Sequence, residues 1–332
     1  MMARNAGTCD YCGSQEVDLV APRELRDLFE MVADIYEEAA HGKTLLHWLR
    51  SDWGIFPGER MPDDRTVELL SNILDDPELG GRKFVPPASS EPDALERWEG
   101  FREELMHRNR FFPQAELDLD SLATALQWLV LRVSDLGECW YRARIEGDRP
   151  LEDHEMGAPL KGKAGHGRAN PAGIPYLYLA SSIQTAIVEV RPHPGQTVAV
   201  APFSLPKEMT IIDLASPRKT ISPFVLDSMD LVKRMRHSIG FLEQLGRELS
   251  DPVLPDAAAV DYTPSQYVCE FVKFCGFDGV RYASSMHEDG YNIALFDPRR
   301  FKGDRPSRHK IKTVSIGSSE MVQREEADTR RS

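Results

Sequence analysis

The hydrophobic period of the chain changes once, near Gly137, and that change divides what its two halves can fold into. Upstream, apolar residues recur at helical spacing. Leu25, Leu28, Phe29, Val32, Ile35, Tyr36 and Ala39 fall on one helix face, with Pro22 suited to the first turn. Leu45, Leu46, Trp48, Leu49 and Trp53 form a second group that stops at Gly54. Asp63 or Asp64 can cap a third helix bearing Val67, Leu70, Ile73 and Leu74. The turn-forming run VPPASSEPD (85–93) precedes a fourth, marked by Leu95, Trp98, Phe101 and Leu105, and Asp120 can cap a fifth, with Leu122, Leu126, Leu129 and Val133. Residues 21–135 therefore read as an all-helical domain behind a short cysteine-containing head, 1–20.

Downstream of Gly137 the chain reads as strands separated by turns. CWYRARI (139–145), IPYLYLA (174–180), TVAVAPFSL (197–205), MTIIDL (209–214), GVRYAS (279–284) and YNIALFD (291–297) are rich in β-branched and aromatic residues. Ser181 or Ser182 can cap a short helix holding Thr185, Ala186 and Glu189, and longer helices fit 223–249 and 264–275. The Gly-rich stretch GKAGHGRANPAG (162–173) cannot be a regular element. Strands joined by short turns predict an α+β domain over 137–300 rather than a doubly wound sheet.

Composition narrows the function classes. The 332-residue chain carries a formal net charge of −13, which opposes broad binding to phosphate backbones. Residues 301–332 depart from this, with eight Lys/Arg against five Asp/Glu, and read as a disordered tail. No apolar stretch reaches membrane-spanning length, and the opening MMARNAGTCDYCGS holds no secretory apolar core, so the expected compartment is the cytoplasm. Five cysteines without a signal segment argue for reduced thiols.

Three blocks carry the chemistry: WYRARI (140–145), GRANPAGIPYLYLASSIQTAIVEVRPHPG (167–195) and GFDGVRYASSMHEDGYNIALF (276–296). Together, and in this order, they resemble the RES family, named for an Arg, a Glu and a Ser. The resemblance assigns the Arg to Arg142, with Arg144 as its competitor two positions on, the Glu to Glu189 and the Ser to Ser284, next to Ser285. Tyr178, Tyr282, Arg168 and Asn170 fall where the family lines its pocket.

The resemblance implies an ADP-ribosyltransferase-like fold and attack on NAD⁺ at the nicotinamide–ribose bond, by water or phosphate. Those residue types suit that reaction. Bond breaking puts positive charge on the ribose, which the Glu189 carboxylate can stabilise. A guanidinium from Arg142 or Arg168 forks onto pyrophosphate. Tyr178 can stack on the nicotinamide, Ser284 can orient substrate, and the Gly-rich loop can bring backbone N–H groups to phosphate. Family toxins are held by antitoxin partners, so an inhibitor protein or self-association is expected here. The rivals are ADP-ribose transfer to a macromolecule and a non-catalytic binding module.

Other motifs point elsewhere. Cys9 and Cys12 form half of a zinc ribbon, with His41 and His47 as conceivable further ligands. The helical part resembles the HEPN group, some of whose members are ribonucleases with an Arg and a His spaced as Arg102 and His107 are. A third rival is therefore RNA cleavage by the helical part. Cys269 and Cys275, in a predicted helix, read as core.

Overall fold

The computed structural model describes residues 5–58, 61–87, 94–254 and 256–315. The N-terminal part is built on helices α1 (Arg26–Ala33), α2 (Leu45–Trp53), α3 (Asp63–Leu74), α4 (Ala94–His107) and α5 (Leu119–Gln127). Local chemistry sets their ends. Thr44 caps α2 by accepting from the His47 N–H, and Gly54 ends it in the left-handed region at φ 66°. Asp118, not Asp120, caps α5 by accepting from the Ser121 N–H.

This part is not purely helical. A short pair, β1 (Asn5–Gly7) and β2 (Val17–Leu19), opens the chain. The first expected helix stops at Ala33, and Glu37–Lys43 forms β3, paired antiparallel with β4 (Phe84–Val85). Ile35 and Tyr36 are buried as a helix face would bury them, but at the turn into β3. Gly42 is the reason pairing prevails here. A Cβ at that position would stand 2.1 Å from the Phe84 carbonyl oxygen, so only glycine admits β4 this close. Most of the turn-forming run 85–93, from residue 88 on, lies outside the described residues.

β5 (Val130–Arg132) leads through α6 (Val133–Leu136) to the predicted strands: β6 (Cys139–Ile145), β7 (Leu177–Ala180), β8 (Thr197–Ser204), β9 (Thr210–Asp213), β10 (Gly279–Ala283) and β11 (Tyr291–Leu295). The intervening helices are α7 (Ile183–Glu189), α8 (Pro217–Thr220), α9 (Met229–Ser250), α10 (Ala258–Asp261) and α11 (Thr263–Phe274). The sheet has eight strands in the order β12-β8-β6-β7-β11-β10-β9-β5, where β12 is Ser307–Lys310. Among the described residues only β9 and β10 pair in parallel. The fold is α+β, as the patterning predicts.

Two boundaries move. The expected tail from 301 contributes β12, which pairs antiparallel with β8 (Ser307 against Val200); residues 316–332 lie outside the described residues. Arg308, on β12, also pairs with Glu146 at 2.8 Å. Nor is there a gap at 136. β5 pairs with β9, and one apolar core runs from Phe29, Trp98 and Phe101 through Phe241 and Cys269 to Val280 and Tyr282. Cys269 is fully buried, as expected, while Cys275 is half-buried. Among the described residues no helix is long and apolar enough to cross a membrane.

Candidate active site

The site begins with a short helix. Ser182 caps α7 by accepting from the Thr185 N–H at 3.0 Å, and Glu189 is the last residue of that helix. Small residues let α7 lie close to the sheet: Ala186 packs with Ala143 of β6 and Ala180 of β7. The helix thereby delivers a carboxylate over the middle strands.

Glu189 meets two donors there. Ser284, immediately after β10, donates its hydroxyl to Oε1 at 2.6 Å, and Asn292 of β11 donates its Nδ2 to the same oxygen at 2.7 Å. The Ser284 Oγ itself accepts the Met286 N–H at 3.1 Å. Tyr282, two residues before Ser284 on the same face of β10, is close enough to feel the charges of Glu189 and Arg168. Burial, foremost, pushes its hydroxyl well above the ordinary tyrosine value.

The Gly-rich loop borders this cluster. The Arg168 guanidinium donates to the carbonyls of Leu249 and Asp251 at the end of α9 and to Ser285 Oγ at 3.3 Å. It also lies over the Tyr262 ring, 5.7 Å from the centroid. The loop backbone is pinned by α11: Ser265 donates to the Arg168 carbonyl at 2.6 Å and Gln266 to the Gly167 carbonyl at 2.9 Å. Neutral carbonyls hold the cation in place without neutralising it, so it stays available to an anion.

Two expected ligand contacts instead build the loop. Tyr178 donates its hydroxyl to Asn170 Oδ1 at 2.6 Å and accepts the Ala169 N–H at 3.1 Å. The Asn170 amide donates to the carbonyls of Gly165, Pro171 and Ile174 at 2.9 to 3.0 Å. Asn170 is buried with its polar atoms engaged, which makes it a brace rather than a rim residue. Gly167 is needed here, because a Cβ would lie 2.3 Å from Asn170 Oδ1 and 2.5 Å from the Tyr178 hydroxyl.

Arg142 is not brought to Glu189. Alternate strand residues face opposite sides of a sheet. Arg142 shares its face with Trp140 and Arg144, on the side of Leu177, Leu179 and Ala201, whereas Tyr178, Ala180, Tyr282 and Asn292 stand on the other. Its Nη1 donates to the Tyr178 carbonyl at 3.1 Å, and its Nε is buried with no hydrogen-bond partner among the described residues. Burial, then the neighbouring Arg144 charge, lowers its pKa to about 10. Arg144 is exposed and donates to the Glu155 carbonyl. The arginine beside the carboxylate cluster is Arg168, the alternative to Arg142 that the sequence offers as a fork for pyrophosphate. Asn292 was missed altogether. The signal available for it was a single amide in the apolar strand YNIAL.

The remaining motifs do not assemble. No group of three or more His, Cys, Asp or Glu that could hold a metal ion occurs among the described residues, so neither His41 nor His47 completes a set with Cys9 and Cys12. The Cys12 thiol instead donates to Ser14 Oγ at 3.2 Å. Arg102 pairs with Glu248 at 2.8 Å, clamping α4 to α9, and His107 lies 3.9 Å from Glu103 on its own helix.

An α+β fold that sets one helix-borne carboxylate against a serine and an asparagine, with an arginine held nearby, defines a carboxylate-centred polar cluster. The RES domain family matches residues 139–314, more than half of the chain, and the chain belongs to that family. The match does not extend to the helical part expected to be HEPN-like. Among solved structures, the crystal structure of the M. tuberculosis MbcT-MbcA toxin-antitoxin complex matches at 15% identity and a TM-score of 0.33, covering 57% of this chain and 93% of that chain. No curated protein matches.

Proposed function

We propose that this chain is an NAD⁺-degrading toxin or defence effector that cleaves the nicotinamide–ribose bond. One observation carries the reading: within the family-matched region, Glu189 is held by Ser284 and Asn292 with Arg168 close by. The C–N bond of the ribosyl nicotinamide breaks, and its electron pair goes to the ring nitrogen, which leaves neutral. Positive charge develops on the ribose, next to the Glu189 carboxylate. Water, or phosphate, then forms the new C–O bond; with water, one proton is released. Arg168 is the fork for the pyrophosphate, and Tyr282 flanks it while Tyr178 braces the loop that carries it. A neutral leaving group needs no general acid.

Such an activity in the expected cytoplasmic setting needs restraint, so an inhibitor protein or self-association belongs to the same proposal. The test is total NAD⁺ in cells after induced expression of wild type and of Glu189→Ala. Collapse with wild type alone supports the reading. Toxicity at constant NAD⁺ refutes it; labelled ADP-ribose left on macromolecules would then indicate transfer.

A further inference from the structure

We propose that Asn292 is a positioning residue that, with Ser284, holds Glu189 by one oxygen and so presents the other oxygen, Oε2, to the ligand. This rests on reading Glu189 as the working carboxylate.

The geometry makes the two oxygens unequal. Oε1 receives donors at 2.6 and 2.7 Å, from Ser284 and Asn292. Two donors occupy the two lone-pair directions of one carboxylate oxygen. Among the described residues Oε2 has no hydrogen-bond partner. A glutamate side chain swings freely unless something fixes it, and charge-assisted bonds to one oxygen fix both its position and the direction of the other.

The two donors are themselves rigid. Asn292 lies in β11, between β10 and β7, with Tyr282 and Ala180 as its cross-strand neighbours. It is 6% exposed, and Glu189 is the acceptor for its amide nitrogen. Ala180 on one side leaves room for the Asn292 side chain to rise toward α7. Ser284 has no choice of direction. Its Oγ already accepts the Met286 N–H at 3.1 Å, so its own proton goes to Glu189.

The chemistry of the donor also fits. An amide nitrogen donates and neither gains nor loses a proton near neutrality, so it holds Glu189 without adding charge. Ionisable groups on the neighbouring elements are Arg168 on the Gly-rich loop, Arg191 just after α7, His287 on the β10–β11 hairpin, whose Nδ1 lies 2.9 Å from Thr185 Oγ1 of α7, and Tyr282 on β10, which burial keeps in its neutral form. Asn292 is a neutral donor supplied by the sheet itself, as Ser284 is one supplied by the strand end.

The experiment uses the full chain and two readouts. In pH-difference infrared spectra, the Glu189 carboxyl band is assigned by its loss in Glu189→Gln. Asn292→Ala should move its protonation midpoint upward, because a donor to the ionised form is gone. Asn292→Asp, nearly isosteric, should move it further, because two carboxyls then share one site. In parallel, NAD⁺ turnover by Asn292→Ala should fall by about 10- to 100-fold in kcat, the range seen when an orienting partner is removed, with little change in KM. An unmoved Glu189 midpoint in both variants overturns the proposal. If Asn292→Ala does not fold, the Asp variant alone decides. If wild type does not consume NAD⁺, the functional reading fails, while the infrared midpoint still decides for or against Asn292.

Discussion

Ser284 donates its hydroxyl proton to Glu189 across 2.6 Å, joining the end of a strand to the end of a helix 95 residues earlier in the chain. Next to it, Ser285 has a different partner, receiving the Arg168 guanidinium at 3.3 Å. Adjacent serines therefore serve opposite charges. Ser284→Ala should lower NAD⁺ turnover by about tenfold or more, equivalent to roughly 1.4 kcal/mol or more of barrier. Ser285→Ala should act mainly on KM, through Arg168. Steady-state kinetics of the two variants check this, and equal effects on kcat would contradict the division.

Arg142 and Arg168 make a second pair of contrasting expectations. Arg168→Ala should weaken substrate binding strongly, because a cation beside the carboxylate cluster is lost. Arg142→Met should leave turnover near wild type, since Arg142 faces the other side of the sheet. Its charge is buried at a cost, with the pKa lowered to about 10, so a similar-sized apolar side chain should be neutral or stabilising by about 1 kcal/mol. Thermal melts and NAD⁺ assays on both variants decide it. Loss of turnover in a well-folded Arg142→Met would place that arginine in the site after all.

The Tyr178 hydroxyl separates bracing from stacking. A ring that only stacks on a ligand tolerates Tyr178→Phe. A hydroxyl that holds Asn170 and the Ala169 N–H does not, and leaving those buried groups unpaired should cost about 1–3 kcal/mol. Gly167→Ala attacks the same contact from the other side, pushing a methyl into Asn170 and Tyr178, with a penalty of about 1–3 kcal/mol for overpacking. Denaturant melts measure both, and an unchanged midpoint for both would refute the bracing role.

Acid stability offers a check away from the site. Arg149 forks onto Glu155 with two bonds of 2.8 Å, and the Glu152 N–H adds a third donor, which together hold the Glu155 carboxyl down at about 2. Its ordinary value is 4.5, so the folded-state pKa is depressed. The stabilisation is complete above 4.5 and is lost as pH falls from there toward 2. Arg149→Ala should therefore reduce stability at pH 6 more than at pH 2. The effect should be small, because Arg149 is exposed to solvent and Glu155 only half-buried. Melts at the two pH values test the sign.

By itself, the sequence determined the elements and the chemistry they could carry. The strands 139–145 and 279–284 and the helix 264–275 were legible, because periodicity and turn residues act over a few positions. Motifs single out Glu189 and Ser284 as candidates, and the fold brings the two side chains together. Tertiary structure decided the rest. Residues 37–43 became a strand because Gly42 lets Phe84 approach, a contact 42 positions away. The expected tail supplied β12, because the edge of β8 offered it a partner. Arg142, Arg144 and Arg168 could not be ranked from motifs, since which face of the sheet the carboxylate covers is set by the packing of α7 on small residues of β6 and β7. Asn292 became visible only as Glu189's second donor, because a hydrogen bond between residues 103 positions apart exists only after the chain has folded.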